Sequence, residues 1–278
     1  MDHPVSAHLP TSVEPASEAD PHRDDRGVVT ALARGLEILA CFRVGESTLS
    51  NTELAQRCGL PKSTVSRLTH TLTKLGYLIN VPTTGRYRLG TSCLALGSAM
   101  LTRLDVRTIA RPLMQELATA TGLSVSLCVP HKLSMIYLDH CRSVQTLSLT
   151  LDVGSRIPLA TTAVGRAWMA SLPAPERAAV MQQIEAADPQ AWPAVLQGIE
   201  TALVEYPKVG VASSFGDWKK EVIGIARAFS PGNGLPNMAV NLGGAAYNAS
   251  PEELMKDGVP RLIEMVYNLE SLLHRGVR

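Results

Sequence analysis

The sequence predicts an α/β protein of two domains: an N-terminal winged helix-turn-helix, a connecting helix, and a C-terminal α/β domain. Three observations carry this reading. Residues 50–74 are patterned as a helix, a tight turn and a second helix, and two short strand-like runs bearing arginines follow them. Beyond residue 105, helical patterns bracket strand patterns at both ends, with hairpins inside, as in a domain built on an antiparallel sheet. The expected divisions are a solvated tail over 1–27, the winged unit over 28–90, a connecting helix over 91–104 and the second domain over 105–275.

Taking the elements in order, Ala31 to Phe42 is amphipathic, with Leu32, Leu36, Leu39 and Ala40 on one side. Ser50 and Glu53 stand at capping-box spacing, so each satisfies the other's free backbone N–H at a helix start. Leu54, Ala55 and Cys58 mark that helix's inner side. Gly59 supplies a left-handed turn, and Pro61 restarts a helix where a missing N–H costs nothing. Val65, Leu68 and Leu72 form the next inner stripe. The outer positions are Lys62, Ser63, Thr64, Ser66, Arg67, Thr69, His70 and Lys74. Such a face of hydroxyls, bases and one imidazole suits a groove lined with phosphates and base edges, so the expected partner is double-stranded DNA. Tyr77–Asn80 and Arg86–Leu89 then read as a hairpin whose Arg86 and Arg88 share one face.

Charge supports the division. Residues 1–27 hold two arginines against six acids, whereas residues 28–90 hold eight Lys or Arg against three Glu. The remaining residues carry sixteen charges of each sign. A basic module joined to a neutral one is the arrangement of a nucleic-acid reader with a separate sensing body.

Ahead of the second domain, Leu94, Leu96, Met100, Leu101 and Leu104 make the connecting segment more apolar than a lone linker, as for packing against a twin. A helix is expected over 106–121, strands over 124–129, 135–141 and 145–151, and helices over 162–171, 175–184 and 190–206. Strands return over 209–212, 222–229 and 238–242, and a last helix, capped by Ser250 and Glu253, runs to about residue 274.

Other chemistry is set aside. The five cysteines are odd in number and never at C-x-x-C spacing, so buried free thiols in a reducing cytoplasm are expected. The tail lacks the apolar centre of a secretory signal, and no run approaches the roughly 18 apolar residues of a membrane span. Asp139-His140-Cys141 places three reactive types together, but adjacent strand residues alternate faces and cannot converge. No nucleophile elbow, zinc-protease helix or phosphate loop is present, so no catalytic residue, metal ligand or cofactor is expected.

Several segments carry a resemblance. Leu60-Pro61-Lys62-Ser63-Thr64-Val65, Gly76-Tyr77-Leu78 and Tyr87-Arg88-Leu89-Gly90 resemble the reader of the IclR family of bacterial transcriptional regulators. Residues 158–167 are similar to that family's Pro-Leu-x-x-Thr-Ala-x-Gly-Lys-Ala segment, and Gly210-Val211-Ala212 and Gly224-Ile225-Ala226 to its later strand signatures. The resemblance spans about 28–275 and implies a GAF-like effector-binding domain, dimers made through the reader and connecting helix, and often tetramers. It also implies effector contacts at Thr146 and Leu149, at Ala163 and Val164, at Ser214 in the loop after Gly210, and at Gly224, Asn241 and Gly243. Ser214 stands where the founding member has an acid, and Asn241 and Gly243 where it has hydroxyls; these departures bear on the ligand's identity.

The residues speak to the same region independently. Thr161 and Thr162 precede a helix, where free N–H groups, hydroxyls and the positive dipole end suit a carboxylate, or where one Thr caps the helix. Asn241, in an apolar run, needs a ligand or a neighbouring backbone as partner. Arg227 could meet a ligand acid or pair with Glu221 or Asp217. The expected function is transcription regulation on operator DNA, modulated by a small organic acid. The alternative is a DNA-binding protein whose second domain serves assembly or an unrecognised activity.

Overall fold

The computed structural model describes residues 27–43, 45–101, 105–142, 151–232 and 234–275. They fall into two compact units that divide between Ser98 and Ala99.

The first unit contains α1 (Thr30–Ala40), α2 (Asn51–Cys58), α3 (Lys62–Lys74), β1 (Leu78–Val81), β2 (Arg86–Leu89) and the start of α4 (Thr91–Leu101). Both halves of the Ser50–Glu53 capping box form, and Gly59 ends α2 at φ +62°. The turn needs that glycine because a Cβ is strained at positive φ. Pro61 is the N-cap of α3 rather than its first turn, and no side chain caps that end. Ile38, Leu54, Val65, Leu72 and Leu78 make the core, and Leu49 bridges to Tyr87 on β2.

Two sequence expectations change here. In α1 the buried positions are Gly35 and Ile38, with Leu39 partly covered, while Leu32 and Leu36 stand 62% and 58% exposed. The apolar stripe of α1 is therefore wider than the unit's own core can cover. In α3, Thr69 lies inside rather than on the outer face. The 3.6-residue period puts it beside Val65 and Leu72, and its hydroxyl is satisfied there by donating to the Val65 carbonyl at 2.9 Å and towards Asn51 at 3.3 Å.

The second unit is a six-stranded antiparallel sheet with helices on both faces. Its elements are α5 (Asp105–Thr121), β3 (Ser124–His131), β4 (Ser134–Cys141), β5 (Arg156–Pro158), α6 (Ala163–Ala170), α7 (Ala174–Ala187), α8 (Trp192–Val209), β6 (Ala212–Phe215), β7 (Val222–Phe229) and β8 (Met238–Ala245). They are followed by α9 (Pro251–Glu253), a π-helical turn (Leu254–Gly258) and α10 (Val259–Arg275). The strand order is β5-β4-β3-β8-β7-β6. One core lies between the sheet and α5 and α10, around Leu127, Leu138, Ile225 and Leu262; the other lies between the sheet and α6 to α8, around Met135, Leu159, Met169 and Ile199.

The strand expected over 209–212 is displaced by three residues. Helix α8 continues to Val209, and Gly210 caps it at φ +83°, so β6 begins only at Ala212. Ser214 consequently sits in a strand rather than a loop. The strand expected over 145–151 lies almost entirely outside the described residues, as do Thr146, Leu149 and Leu104. Its last residue, Leu151, has no regular structure, and the short strand β5 was not anticipated.

Candidate functional site

Two surfaces concentrate polar side chains, one in each unit. On α3, Lys62, Ser63, Ser66, Arg67, His70 and Lys74 are exposed along one side, with Thr64 half-buried at its edge and Thr71 also exposed. The two wing arginines separate. Arg88 is exposed, opposite Ile79, with no partner among the described residues. Arg86 is already engaged: it donates to the Thr48 hydroxyl at 2.9 Å, to the Thr48 carbonyl at 3.0 Å and to Glu53 at 3.0 Å. Glu53 thus joins the cap of α2 to the wing. Hydrogen bonds from Ser50, first its hydroxyl and then its backbone N–H, with Arg86 adding to them, hold its carboxyl at a pKa of about 2. Arg86 holds the wing against the helices, so it is the less available of the two for a phosphate.

The second surface is the sheet face beneath α6. Strand register assembles it in two rows. Ser214 on β6, Gly224 on β7, Gly243 on β8 and Ser124 on β3 are successive cross-strand partners. Two residues along, Asn241 on β8 pairs with Ser126 on β3, which pairs with His140 on β4. All seven line one cavity of about 50 Å³, closed by Thr162, Ala163, Tyr137, Leu151, Ile157 and Trp218. That volume exceeds the roughly 10–15 Å³ one water needs. Gly224 leaves the floor open, since a Cβ there would stand 3.2 Å from Asn241 Oδ1, whereas Gly243 is a close approach whose Cβ would meet the Ile223 carbonyl oxygen at 2.4 Å.

A bulge decides which β4 side chains look inward. Leu127 pairs with Asp139, but the next residue, Cys128, pairs with Tyr137, so Leu138 is the extra residue. Without the bulge, Tyr137 and His140 would face opposite ways. With it, their rings lie 5.6 Å apart and both face the cavity, while Leu138 joins the opposite core. Asp139 and Cys141 also face away from the cavity: Asp139 is buried against Arg107 and Arg111, and Cys141 lies against α5. Burial lowers the His140 pKa, with Arg142 adding to the effect. Its Nδ1 lies 2.8 Å from Ser126 Oγ. Its Nε2 and Ser124 Oγ are buried and find no partner among the described residues.

Of the expected effector positions, Thr162, Ala163, Ser214, Gly224, Asn241 and Gly243 come together here. Val164 does not; it is fully buried in the core against α8. The two threonines also part. Thr162 caps α6, accepting from Gly165 N–H at 3.3 Å and donating to the Pro158 carbonyl at 2.7 Å, whereas Thr161 lines a neighbouring cleft and its carbonyl accepts from Ser214. Arg227 does not line the cavity, and among the described residues it pairs with neither Glu221 nor Asp217. It donates to the Gly210 carbonyl at 2.6 Å, satisfying the end of α8, and Asp217 instead pairs with the buried Arg166. Sequence reasoning missed Ser124, Ser126, Tyr137, His140 and Trp218. The alternation Ser124, Ser126 in an apolar strand was the available signal.

Residues 31–82 match the IclR helix-turn-helix domain, and residues 98–268 match the C-terminal domain of bacterial IclR transcriptional regulators. The chain belongs to the IclR family. It is accordingly a DNA-binding transcriptional regulator, and its fold is the family's. The HTH-type transcriptional regulator TsaQ1/TsaQ2 of Comamonas testosteroni is 35% identical over 248 residues, 88% of either chain. A crystal structure of an IclR-family regulator from Brucella abortus superposes with a TM-score of 0.82 at 42% identity, over 92% of this chain and 96% of that one. An IclR homologue from Microbacterium hydrocarbonoxydans, crystallised with 4-hydroxybenzoate, shares the fold at a TM-score of 0.68 and 22% identity, over 88% and 99% of the two chains. No helix among the described residues is long and apolar enough to cross a membrane.

Proposed function

We propose that a small organic acid binds the cavity beneath α6 and changes the affinity of this IclR-family regulator for its operator. The observation that carries the reading is the pair of buried, unpartnered polar atoms, Ser124 Oγ and His140 Nε2, facing one cavity. A polar group buried without a partner costs about 1–3 kcal/mol, so such groups are rarely left idle. In the tautomer in which Ser126 donates to Nδ1, the His140 proton stands on Nε2 and can meet the ligand. Ser124 and the Asn241 amide add further donors, and Leu151, Ile157 and Trp218 flank the acid's apolar body. The 4-hydroxybenzoate bound by the homologue is an acid of this class.

In the reader, Lys62, Ser63, Thr64, Ser66, Arg67 and His70 enter the major groove, and Arg88 approaches the backbone beside it. Arg86 is given the positioning role its bonds imply. A reader this small binds paired half-sites, so the working unit is a homodimer or a tetramer of such dimers. The exposed apolar residues Leu32 and Leu36 on α1, with Leu94, Leu96 and Met100 on α4, supply its contact surface.

The test is a calorimetric screen of small carboxylates, 4-hydroxybenzoate included, against the full chain and its His140→Leu and Asn241→Leu variants. The best ligand should bind each variant about tenfold more weakly, near 1.4 kcal/mol. It should shift operator affinity of the parent by about 5- to 150-fold. Equal binding to all three proteins, or no carboxylate binding at all, refutes the assignment.

A further inference from the structure

The sequence separates Cys41 and Cys58 by sixteen residues, but the fold brings their Sγ atoms to 3.2 Å, within thiol hydrogen-bond distance. Cys41 is the C-cap of α1 and Cys58 the last residue of α2, immediately before the Gly59 turn into the reader helix. Both are half-buried, unlike Cys128 and Cys141, which are enclosed in the second unit.

Their surroundings favour a thiolate on Cys41. The hydrogen bond it shares with Cys58 lowers its pKa most, the Arg57 and Arg43 guanidiniums lower it further, and burial and Glu37 oppose them. Arg57 is held in place, donating to the Cys41 carbonyl at 2.8 Å and forking onto Glu46 at 2.6 and 2.7 Å. The contact with Cys41 and burial push the Cys58 thiol the other way. Either sulfur can donate in this pair, and the guanidiniums beside Cys41 favour it as the nucleophile, with Cys58 as its resolving thiol. Cys93, the remaining half-buried cysteine, is raised by burial and spends its S–H on the Tyr77 carbonyl.

We propose that Cys41 and Cys58 form a reversible intramolecular disulfide on exposure to peroxide, and that this bond weakens operator binding. The Cys41 thiolate attacks one peroxide oxygen; an S–O bond forms, the O–O bond breaks, and hydroxide leaves as water after taking a proton. Cys58 then attacks the sulfenic sulfur; the S–S bond forms, the S–O bond breaks, and the Cys58 proton leaves with the hydroxyl as the second water. Each cysteine has given up one electron and the peroxide has become two waters. Two molecules of a small thiol such as glutathione reverse the bond by exchange. A disulfide needs its sulfurs at about 2.05 Å, so the two sulfurs must approach by roughly an ångström, by side-chain rotation together with closure of the end of α2 on α1. Gly59, with no Cβ to meet and positive φ, is the hinge through which that displacement reaches α3.

The test treats the reduced full chain with hydrogen peroxide, then maps peptides and titrates thiols. Free thiols should fall from five to three, with a Cys41–Cys58 peptide pair that dithiothreitol separates. Gel shifts on a duplex selected from a random pool by the reduced protein should weaken by at least about fivefold, the low end of ordinary coupling, and recover on reduction. Cys58→Ser should leave Cys41 without its resolving thiol, so that it runs on to sulfinic acid and no cross-link appears. Five thiols surviving peroxide, a bond to Cys93, or a disulfide between two chains overturns the proposal, and these readings need no variant. A Cys41–Cys58 bond that leaves affinity unchanged overturns the regulatory half.

Discussion

The two units carry their chemistry in different ways. In the first, the groups proposed to meet DNA, apart from Arg88 on the wing, lie on one face of α3, a few residues apart, and the capping box and Gly59 that set its start lie just before it. In the second, the cavity floor is drawn from β3, β4, β6, β7 and β8, whose contributing residues run from Ser124 to Gly243 along the chain. A helical face is a property of local spacing. A sheet face is a property of register, and one bulge re-aims half a strand.

The largest expected effect tests how closely each unit is packed. A Cβ on Gly165, the glycine of the Thr-Ala-x-Gly segment, would lie 1.9 Å from the Leu159 carbonyl oxygen, so α6 could no longer sit against the chain leading into it. Gly165→Ala should destabilise the second unit by about 3 kcal/mol or more. Gly59→Ala meets open space and pays only for its positive φ, about 1 kcal/mol. Denaturant midpoints of equal size for the two variants would erase the distinction between a glycine of close approach and a glycine of a turn.

A second prediction addresses the local character of the reader. Arg67→Ala should weaken binding to a selected operator by about 10- to 100-fold, the worth of one bidentate base contact, while the fold stays intact. An affinity unchanged in gel-shift titration removes Arg67 from the groove.

The wing sharpens the comparison, because there tertiary contacts reassign a residue that spacing alone placed on the DNA. Arg88→Ala should lower the slope of log affinity against log salt by about 0.9, one phosphate contact. Arg86→Ala should leave that slope near the parent's and instead loosen the wing, since its donors are spent on Thr48 and Glu53. The reverse pattern of slopes would exchange the two roles.

The smallest effect is the acid response of the same cluster. The folded pKa of Glu53, about 2, is depressed relative to about 4.3 in an unfolded chain. Its contribution to stability is therefore complete above the unfolded value and is lost as pH falls through the window from about 4.3 to 2. Melting followed at the Leu54 and Val65 methyl resonances should drop over that window in the parent and drop less in Glu53→Gln. An identical acid response in both proteins would assign the sensitivity to other carboxylates.

Most of the first unit was legible because its signals are short-range. The capping box, the Gly59 turn and the Val65, Leu72 stripe each needed only neighbours within a helical turn or two. The inward Thr69 follows from its spacing of four from Val65 and is masked only by its hydroxyl, whereas the outward Leu32 and Leu36 and the bonds of Arg86 depend on what lies across the domain. The cavity was legible in part because the family resemblance carried long-range information that spacing does not. It brought Ala163, Ser214, Gly224, Asn241 and Gly243 to one place, with Thr162 added by its position at a helix start, but could not supply the side chains peculiar to this chain.

The amino-acid order by itself determined where the reader's helices start and stop, most of the residues α3 turns outward, and that a basic module precedes a neutral one, since each follows from backbone capping, period and charge. Only the tertiary structure decided that His140 and Tyr137 share a cavity with Ser124 and that Cys41 meets Cys58. Those juxtapositions arise from strand register, a bulge at Leu138 and the crossing of α1 with α2. They join residues whose separation along the chain says nothing of their distance in space, and packing alone sets that distance.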